Sequence, residues 1–302
     1  MATYVETCDV KVVIDPGSAL GPRFNLNPHE REYRALSRSR ETILEVAKEA
    51  DVLTVSHFHY DHYLPSFENW MWIWSSPELA ERLYRGKLVL MKDPSSHINL
   101  AQRKRGYLFK KFCSRVAKEV HIADGKTFRF GETVLEFSSP VYHGPEGSKL
   151  GFVLILTVRT EGCCLVHAPD VQGPMYEEPL RIILKQSPDA VIIGGPPIYL
   201  EGFKIKVEEL ERGRKNLMEL ARRVPLLIVD HHLLRSSEYR EYLSPVISSA
   251  RNESNRVLTA AEFIGKEPEL LEAKRRELHA REPVKKTWYK RLEKGILETS
   301  QD

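Results

Sequence analysis

The stretch Ser56-His57-Phe58-His59-Tyr60-Asp61-His62, at the end of the apolar run Val52-Leu53-Thr54-Val55, constrains this chain more than any other. Three imidazoles and a carboxylate within six consecutive positions are too dense for a folding core, because every buried polar group needs its own partner. They make sense as metal ligands. Side chains alternate with period two in an extended or tightly turned segment, so His57 and His59 point to one side and can grip one cation. Asp61 and His62 follow after the chain has turned, and face a second position nearby. The stretch reads as half of a two-metal site.

The pattern His-x-His-x-Asp-His after a β-strand resembles the signature of the metallo-β-lactamase superfamily of metallohydrolases. Further acids and histidines fall at strand ends in the chain order that superfamily uses. Val10 to Ile14 reads as a strand ending in Asp15, which the resemblance makes structural. Thr133 to Phe137 runs on toward His143, where the resemblance places the third ligand of the first metal. Cys163 to His167 is followed by Asp170, by resemblance the carboxylate that bridges both metals. His167 itself is expected to be a hydrogen-bonded strand residue, with support of a ligand as the alternative.

Leu226 to Val229 reads as the last clear strand and ends in Asp230-His231-His232. Adjacent histidines point in opposite directions on an extended segment, so one of the two is expected as a ligand. His231 is preferred, because its spacing to Arg235 resembles the ribonuclease Z branch; His232 is next.

What the resemblance implies is an αββα sandwich: two mixed β-sheets packed face to face, helices outside and metals at one edge. The residues independently supply short strands alternating with amphipathic helices, which is an α/β pattern. Ser39 to Ala50 has helical spacing, whereas Ala19 to Arg31 has none and reads as a loop. The whole chain, 1–302, is expected to form one domain with a charged, helical and solvated C-terminal extension from about Ser236 to about Leu297. More narrowly, the chain resembles a largely archaeal branch of metal-dependent hydrolases.

The ligands His57, His59, Asp61, His62, His143, Asp170 and His231 then imply two divalent ions. Imidazole and carboxylate suit zinc first, with manganese or iron as alternatives. Two such ions can share a hydroxide as nucleophile, with Asp170 bridging and orienting and His232 or Asp61 handling the leaving-group proton. A phosphodiester or other small anionic, nucleotide-like substrate is the first expectation. A carboxylic ester, lactone or thioester hydrolase and a mono-iron oxygenase are the alternatives.

A nucleic acid substrate stays open because of Ala101 to Lys118, which holds no acid. There Arg103, Lys104, Arg105, Lys110, Lys111, Arg115 and Lys118 are interleaved with Tyr107, Phe109 and Phe112. The plainer reading, a helix with its aromatics inward and its cations in water, is preferred. Core packing is likewise preferred for the crowd of Phe67, Trp70, Trp72 and Trp74.

Bulk charge does not decide among substrates, since a net +3 and a pI near 8.5 are only mildly basic. No apolar run approaches the roughly 18 to 20 residues of a membrane span, and the N-terminus lacks a basic-then-apolar region. A cytosolic protein with no membrane partner is expected, and a homo-oligomer stays open. Cys8, Cys113, Cys163 and Cys164 show no Cys-x-x-Cys spacing and are expected as reduced thiols buried on strands.

Overall fold

A computed structural model of the chain describes residues 1–252 and 255–296. The first half runs β1 (Thr3–Glu6), β2 (Lys11–Ile14), α1 (Glu30–Glu49), β3 (Val52–Val55), α2 (Pro77–Tyr84), β4 (Leu88–Met91), α3 (Leu100–Val116) and β5 (Glu119–Ile122). Then come β6 (Thr127–Phe130), β7 (Thr133–Phe137), β8 (Val141–Tyr142), β9 (Phe152–Val153), β10 (Leu156–Thr160), β11 (Cys163–Ala168), α4 (Glu177–Lys185), β12 (Ala190–Gly194), α5 (Val207–Arg223) and β13 (Leu226–Asp230). The remainder is α6 (Tyr239–Asn252), β14 (Arg256–Leu258), α7 (Ala260–Phe263), α8 (Arg275–Arg281) and α9 (Lys286–Leu292).

β1 to β5 form one sheet in chain order, with β2 to β5 parallel and β1 antiparallel at its edge. The other sheet has the order β14-β13-β12-β11-β10-β7-β6, parallel from β14 to β11 and antiparallel beyond. Alternation along the strands explains how both faces are covered. On β2, Val12 and Ile14 face the layer between the sheets, where they meet Leu135, Phe137, Leu156 and Val158, while Val13 faces outward. That outer face packs on Ile43, Leu44 and Ala47 of α1, Leu83 and Tyr84 of α2, and Phe109 and Phe112 of α3. The second sheet's outer face packs on Ile183, Leu217, Leu220 and Val246 of α4, α5 and α6. The result is the αββα sandwich of the metallo-β-lactamase fold.

Two departures from the sequence reading bear on the site. α1 begins at Glu30, well before Ser39, because His29 caps it: the His29 ring accepts from Arg31 N–H, and Glu32 reaches back to His29 N–H at 2.7 Å. Histidine is not a usual cap. The inward positions Glu32, Ser37 and Arg40 are also polar, which hides the helical period. Arg40 is buried and donates to the carbonyls of Pro16, Ser18 and Ile73, tying α1 to the loop that follows β2.

The segment after Ser236 is not simply a solvated exterior. β14 adds a parallel strand beside β13, too short to stand out in the sequence. Arg275 is fully buried and forked onto the equally buried Glu32 at 2.7 and 2.8 Å, with further bonds to the carbonyls of Gly21 and Leu26. α9 adds Leu292, Trp288 and Tyr289 to a cluster with Tyr33, Leu36 and Trp74. Leu297, the expected end of the helical stretch, lies outside the described residues.

The tryptophans are half-buried packing residues, but Phe67 is exposed. Among the cysteines, Cys164 is buried on a strand and Cys113 on a helix, whereas Cys8 and Cys163 are exposed. Among the described residues, no helix is long and apolar enough to cross a membrane.

Candidate metal centre

The carboxyl ends of the parallel strands β3, β11, β12 and β13 meet along one edge of the sandwich, the end at which α/β sheets place ligands. His57, His59, Asp61 and His62 follow β3, His143 follows β8, Asp170 follows β11, and His231 and His232 follow β13. All eight residues converge there. Ligand atoms of His57, His59, His143 and Asp170 lie within 4.8 Å of one another, as do those of Asp61, His62 and His231, and those of Asp170, His231 and His232.

Asp170 is the hub. Its Oδ2 is 2.9 Å from His143 Nε2, 3.2 Å from His62 Nε2 and 3.3 Å from His57 Nε2, while its Oδ1 is 3.3 Å from His231 and 3.4 Å from His232. Burial works to raise its carboxyl, but the surrounding imidazoles, His62 foremost, hold it well below the usual range.

Asp15 governs two of these rings. It is fully buried and sits at φ 50°, a left-handed conformation that aspartate tolerates better than most residues. Its carboxylate accepts from Ser56 N–H at 2.7 Å, from Ser56 Oγ at 2.5 Å and from His62 Nδ1 at 2.8 Å. A carboxylate only accepts, so the Ser56 hydroxyl spends its proton there and must accept from His57 Nδ1, 3.0 Å away. Both His57 and His62 therefore carry hydrogen on Nδ1, which leaves Nε2, turned toward Asp170, as the nitrogen a cation would take. Burial opposes ionisation of Asp15, yet the hydrogen bond and charge of His62 outweigh it and pull the carboxyl down to about 2. His62 responds in the opposite sense: burial would lower it, but Asp170 and Asp15 raise it to about 10. Burial and the charge of His62 lower His57 to about 4.

His59 is held differently. Gln102 of α3 accepts from Phe58 N–H at 3.0 Å, donates to the Leu150 carbonyl at 2.6 Å and places its amide nitrogen 3.2 Å from His59 Nε2. The loop after β2 is pressed against this turn with no room for a side chain. A Cβ on Gly17 would sit 2.2 Å from Tyr63 N and 2.4 Å from the His62 backbone.

The two histidines after β13 do not diverge as an extended chain would make them. Asp230 caps a 3₁₀ turn, His231–Arg235, by accepting from His231 N–H at 2.6 Å, and His231 takes φ 67°. Both rings consequently face Asp170, with centroids 4.4 Å apart. They differ in their other partners. His231 Nε2 is 3.4 Å from Asp61, whereas His232 Nδ1 faces the Arg235 guanidinium at 2.5 Å. A guanidinium has no acceptor, so His232 Nδ1 must accept, and its proton is on Nε2, aimed at the cluster. Arg235 in turn approaches Asp61 at 3.6 Å and Glu272 at 3.5 Å, and Glu272 also pairs with Arg23.

Ser56, Gln102 and Glu272 were not singled out in the sequence. Ser56 carries a signal only in hindsight, as the residue before the first histidine. Gln102 and Glu272 arrive from distant elements with no local pattern. His167 is a hydrogen-bonded strand residue, its Nε2 3.2 Å from the Met1 carbonyl.

The cluster fits a metal centre on an observation of its own. His62 Nε2, both nitrogens of His143, both oxygens of Asp170 and the Nε2 atoms of His231 and His232 are buried without a hydrogen-bond partner. Each such atom costs about 1 to 3 kcal/mol when left unpaired; cations would satisfy the Asp170 oxygens and one nitrogen each of His62, His143 and His231, while His232 Nε2–H would donate to a bound ligand.

No family model matches the chain. It is 48% identical over 283 residues to a UPF0282 protein of Methanopyrus kandleri, across 93% of this chain and 95% of that one. It is 41% identical over 299 residues to a UPF0282 protein of Pyrococcus furiosus, across 98% and 92%. Among solved structures it is similar to CmlA, a diiron β-hydroxylase from Streptomyces venezuelae, at a TM-score of 0.51 and 11% identity. That likeness covers 85% of this chain and about half of CmlA, at 51%. The metallo-β-lactamase fold protein YhfI of Bacillus subtilis overlays 86% of the chain at a TM-score of 0.46 and 13% identity, too loosely to argue from.

Proposed function

The chain belongs to the UPF0282 family, and from that footing we propose that it is a hydrolase that works with two divalent metal ions, acting on an anionic ester and first of all a phosphodiester. The observation that carries this reading is the buried Asp170 carboxylate ringed by five imidazoles, with both its oxygens and four of the five facing nitrogens left unpaired by the protein. We assign His57, His59 and His143 to one ion, Asp61, His62 and His231 to the other, and Asp170 to both. Ions held there supply Lewis acidity and lower the pKa of water toward neutrality.

The protein's own groups do the rest. Asp15 and Ser56 hold His57 and His62 by Nδ1, with Nε2 turned inward. His232, whose Nε2 carries hydrogen because Arg235 occupies Nδ1, has the tautomer of a donor and not of a ligand. It is assigned a hydrogen bond to the leaving oxygen, in preference to Asp61, which is taken up by His231 and Arg235; burial and the Arg235 charge keep the ring neutral, so it stabilises the charge that develops there and leaves the final protonation to solvent. A cavity of about 850 Å³ opens on Asp61 and His231 between the loop after β2, α1 and residues 266–272. It is a size suited to a small ester, with Arg38, Arg235 and Lys266 set among the carboxylates Glu32, Asp61, Asp230, Glu269 and Glu272 in its walls.

Oxygen chemistry on iron is the second reading. The all-nitrogen-and-oxygen donor set suits iron too, and CmlA, of similar fold, is a diiron β-hydroxylase. The deciding assay loads the protein with zinc, manganese or iron and follows bis(p-nitrophenyl) phosphate beside a thioester. Turnover of the diester that Asp170→Ala abolishes supports the proposal; turnover that survives Asp170→Ala refutes it.

A further inference from the structure

The most lopsided charge on the molecule lies on α3. Seven cations fall between positions 103 and 118 with no acid among them, while the whole chain is only +3, so the remainder is net acidic. Other surface helices mix and pair their charges: Arg34 with Glu30 and Lys48 with Glu45 on α1, Arg214 with Glu211 and Arg223 with Glu219 on α5. On α3, by contrast, Arg103, Lys104, Lys111 and Arg115 have no carboxylate within ion-pair reach among the described residues. Helical spacing puts Lys104, Lys111 and Arg115 on the face opposite the buried Gln102, Gly106, Phe109 and Cys113, with Arg103 on its flank.

The amino-terminal turns of this helix abut the candidate metal centre. Gln102 touches His59, and Arg105 donates to the Phe58 carbonyl while its guanidinium lies 4.2 Å from the Tyr60 ring centroid. Tyr60 meets the exposed Phe67 edge to face, and Tyr107 is half exposed one turn further along. Unpaired cations over about 18 Å of helix, with the exposed Phe67 and Tyr107 beside them, are the parts of a surface that tracks a single strand of nucleic acid.

We propose that the outer face of α3 docks a single-stranded nucleic acid and leads its backbone to the metal centre from the His59 side, with the cavity beyond Asp61 receiving the far end. Docking stands on the α3 surface alone; only the direction of the strand rests on the hydrolase reading. An anionic membrane is the less favoured occupant. The apolar side of α3 is buried in the core, which leaves Leu100 and Leu108 as scattered exposed residues and no continuous face to insert.

The test is fluorescence anisotropy of fluorescein-labelled oligouridylate and oligothymidylate with the metal-loaded protein, read on mixing and across a salt series. Binding should strengthen as salt falls. The triple variant Lys104→Glu/Lys111→Glu/Arg115→Glu should bind on the order of tenfold or more weakly, and its log–log salt slope should be shallower by about 2, at about 0.7 per phosphate contact. All three side chains are exposed, so circular dichroism and melting should match the parent protein. Equal binding by parent and variant, no binding of either oligonucleotide, or co-sedimentation with phosphatidylglycerol vesicles in place of oligonucleotides would each overturn the proposal. The two oligonucleotides separate RNA from DNA as the strand. A protein that binds strand through α3 yet turns over no ester sinks the hydrolase reading and leaves the docking face standing; one that cleaves the small diester but binds no strand does the reverse.

Discussion

Asp15→Asn removes a single charge from beneath two of the assigned ligands. Asparagine tolerates the φ of 50° at this position, so the backbone has no reason to move. The carboxylate now satisfies three donors: Ser56 N–H, Ser56 Oγ and His62 Nδ1. An amide offers one oxygen and turns its own donors toward the rest. Asp15 is held at about 2 against an ordinary 3.8, a gap worth roughly 2 to 3 kcal/mol of native stability. Because the carboxyl is depressed, that stability is fully present above pH 4 or so and is lost only as pH falls through about 2. At neutral pH the metal-free variant should therefore melt roughly 3 to 5 °C lower in differential scanning calorimetry. With the His57 and His62 tautomers no longer fixed, zinc affinity measured by competition with a chelating dye should drop about 10- to 100-fold. A variant with parental melting temperature and parental zinc affinity would refute the claim that Asp15 presents these ligands.

Three other perturbations follow from the geometry. His231→Ala should cost one of the two ions per chain, whereas His232→Ala should keep the metal content and lower turnover by roughly 10² to 10³; loss of an ion from His232→Ala would reverse the two roles. Arg275→Met strands the buried Glu32 carboxylate and should cost about 3 to 5 kcal/mol in urea unfolding, with Glu32→Met restoring most of it, while Arg281→Ala, from an exposed pair, should change nothing measurable. Gly17→Ala drives a Cβ into the backbone at His62 and Tyr63, so the protein should fold with native circular dichroism but bind less metal; full metal content would show that the turn yields.

The site was legible where the chemistry is dense along the chain. His57 to His62 stand out because a folding core has no use for so many adjacent polar groups, and His143 and Asp170 could be found at strand ends by the resemblance alone. The His231 and His232 argument failed on its premise of an extended chain: Asp230 caps a 3₁₀ turn there, and a cap is only visible once the turn is known. The early start of α1 was hidden by Glu32, Ser37 and Arg40 on its buried side, whose partners come from the loop after β2 and from Arg275. Gln102 and Glu272 reach the site across 43 residues from His59 and 37 from Arg235, and no period or local motif marks such contacts. The two-sheet sandwich itself needed the resemblance, since short strands and amphipathic helices fit several α/β arrangements.

Metal content by inductively coupled plasma mass spectrometry, on protein purified without added metal and again after reconstitution, tests the centre most directly. The expected result is about two ions of zinc or manganese per chain, reduced in Asp170→Ala. One iron per chain would move the chemistry to oxygen, and no metal even after reconstitution would contradict the assignment of the cluster as a metal centre.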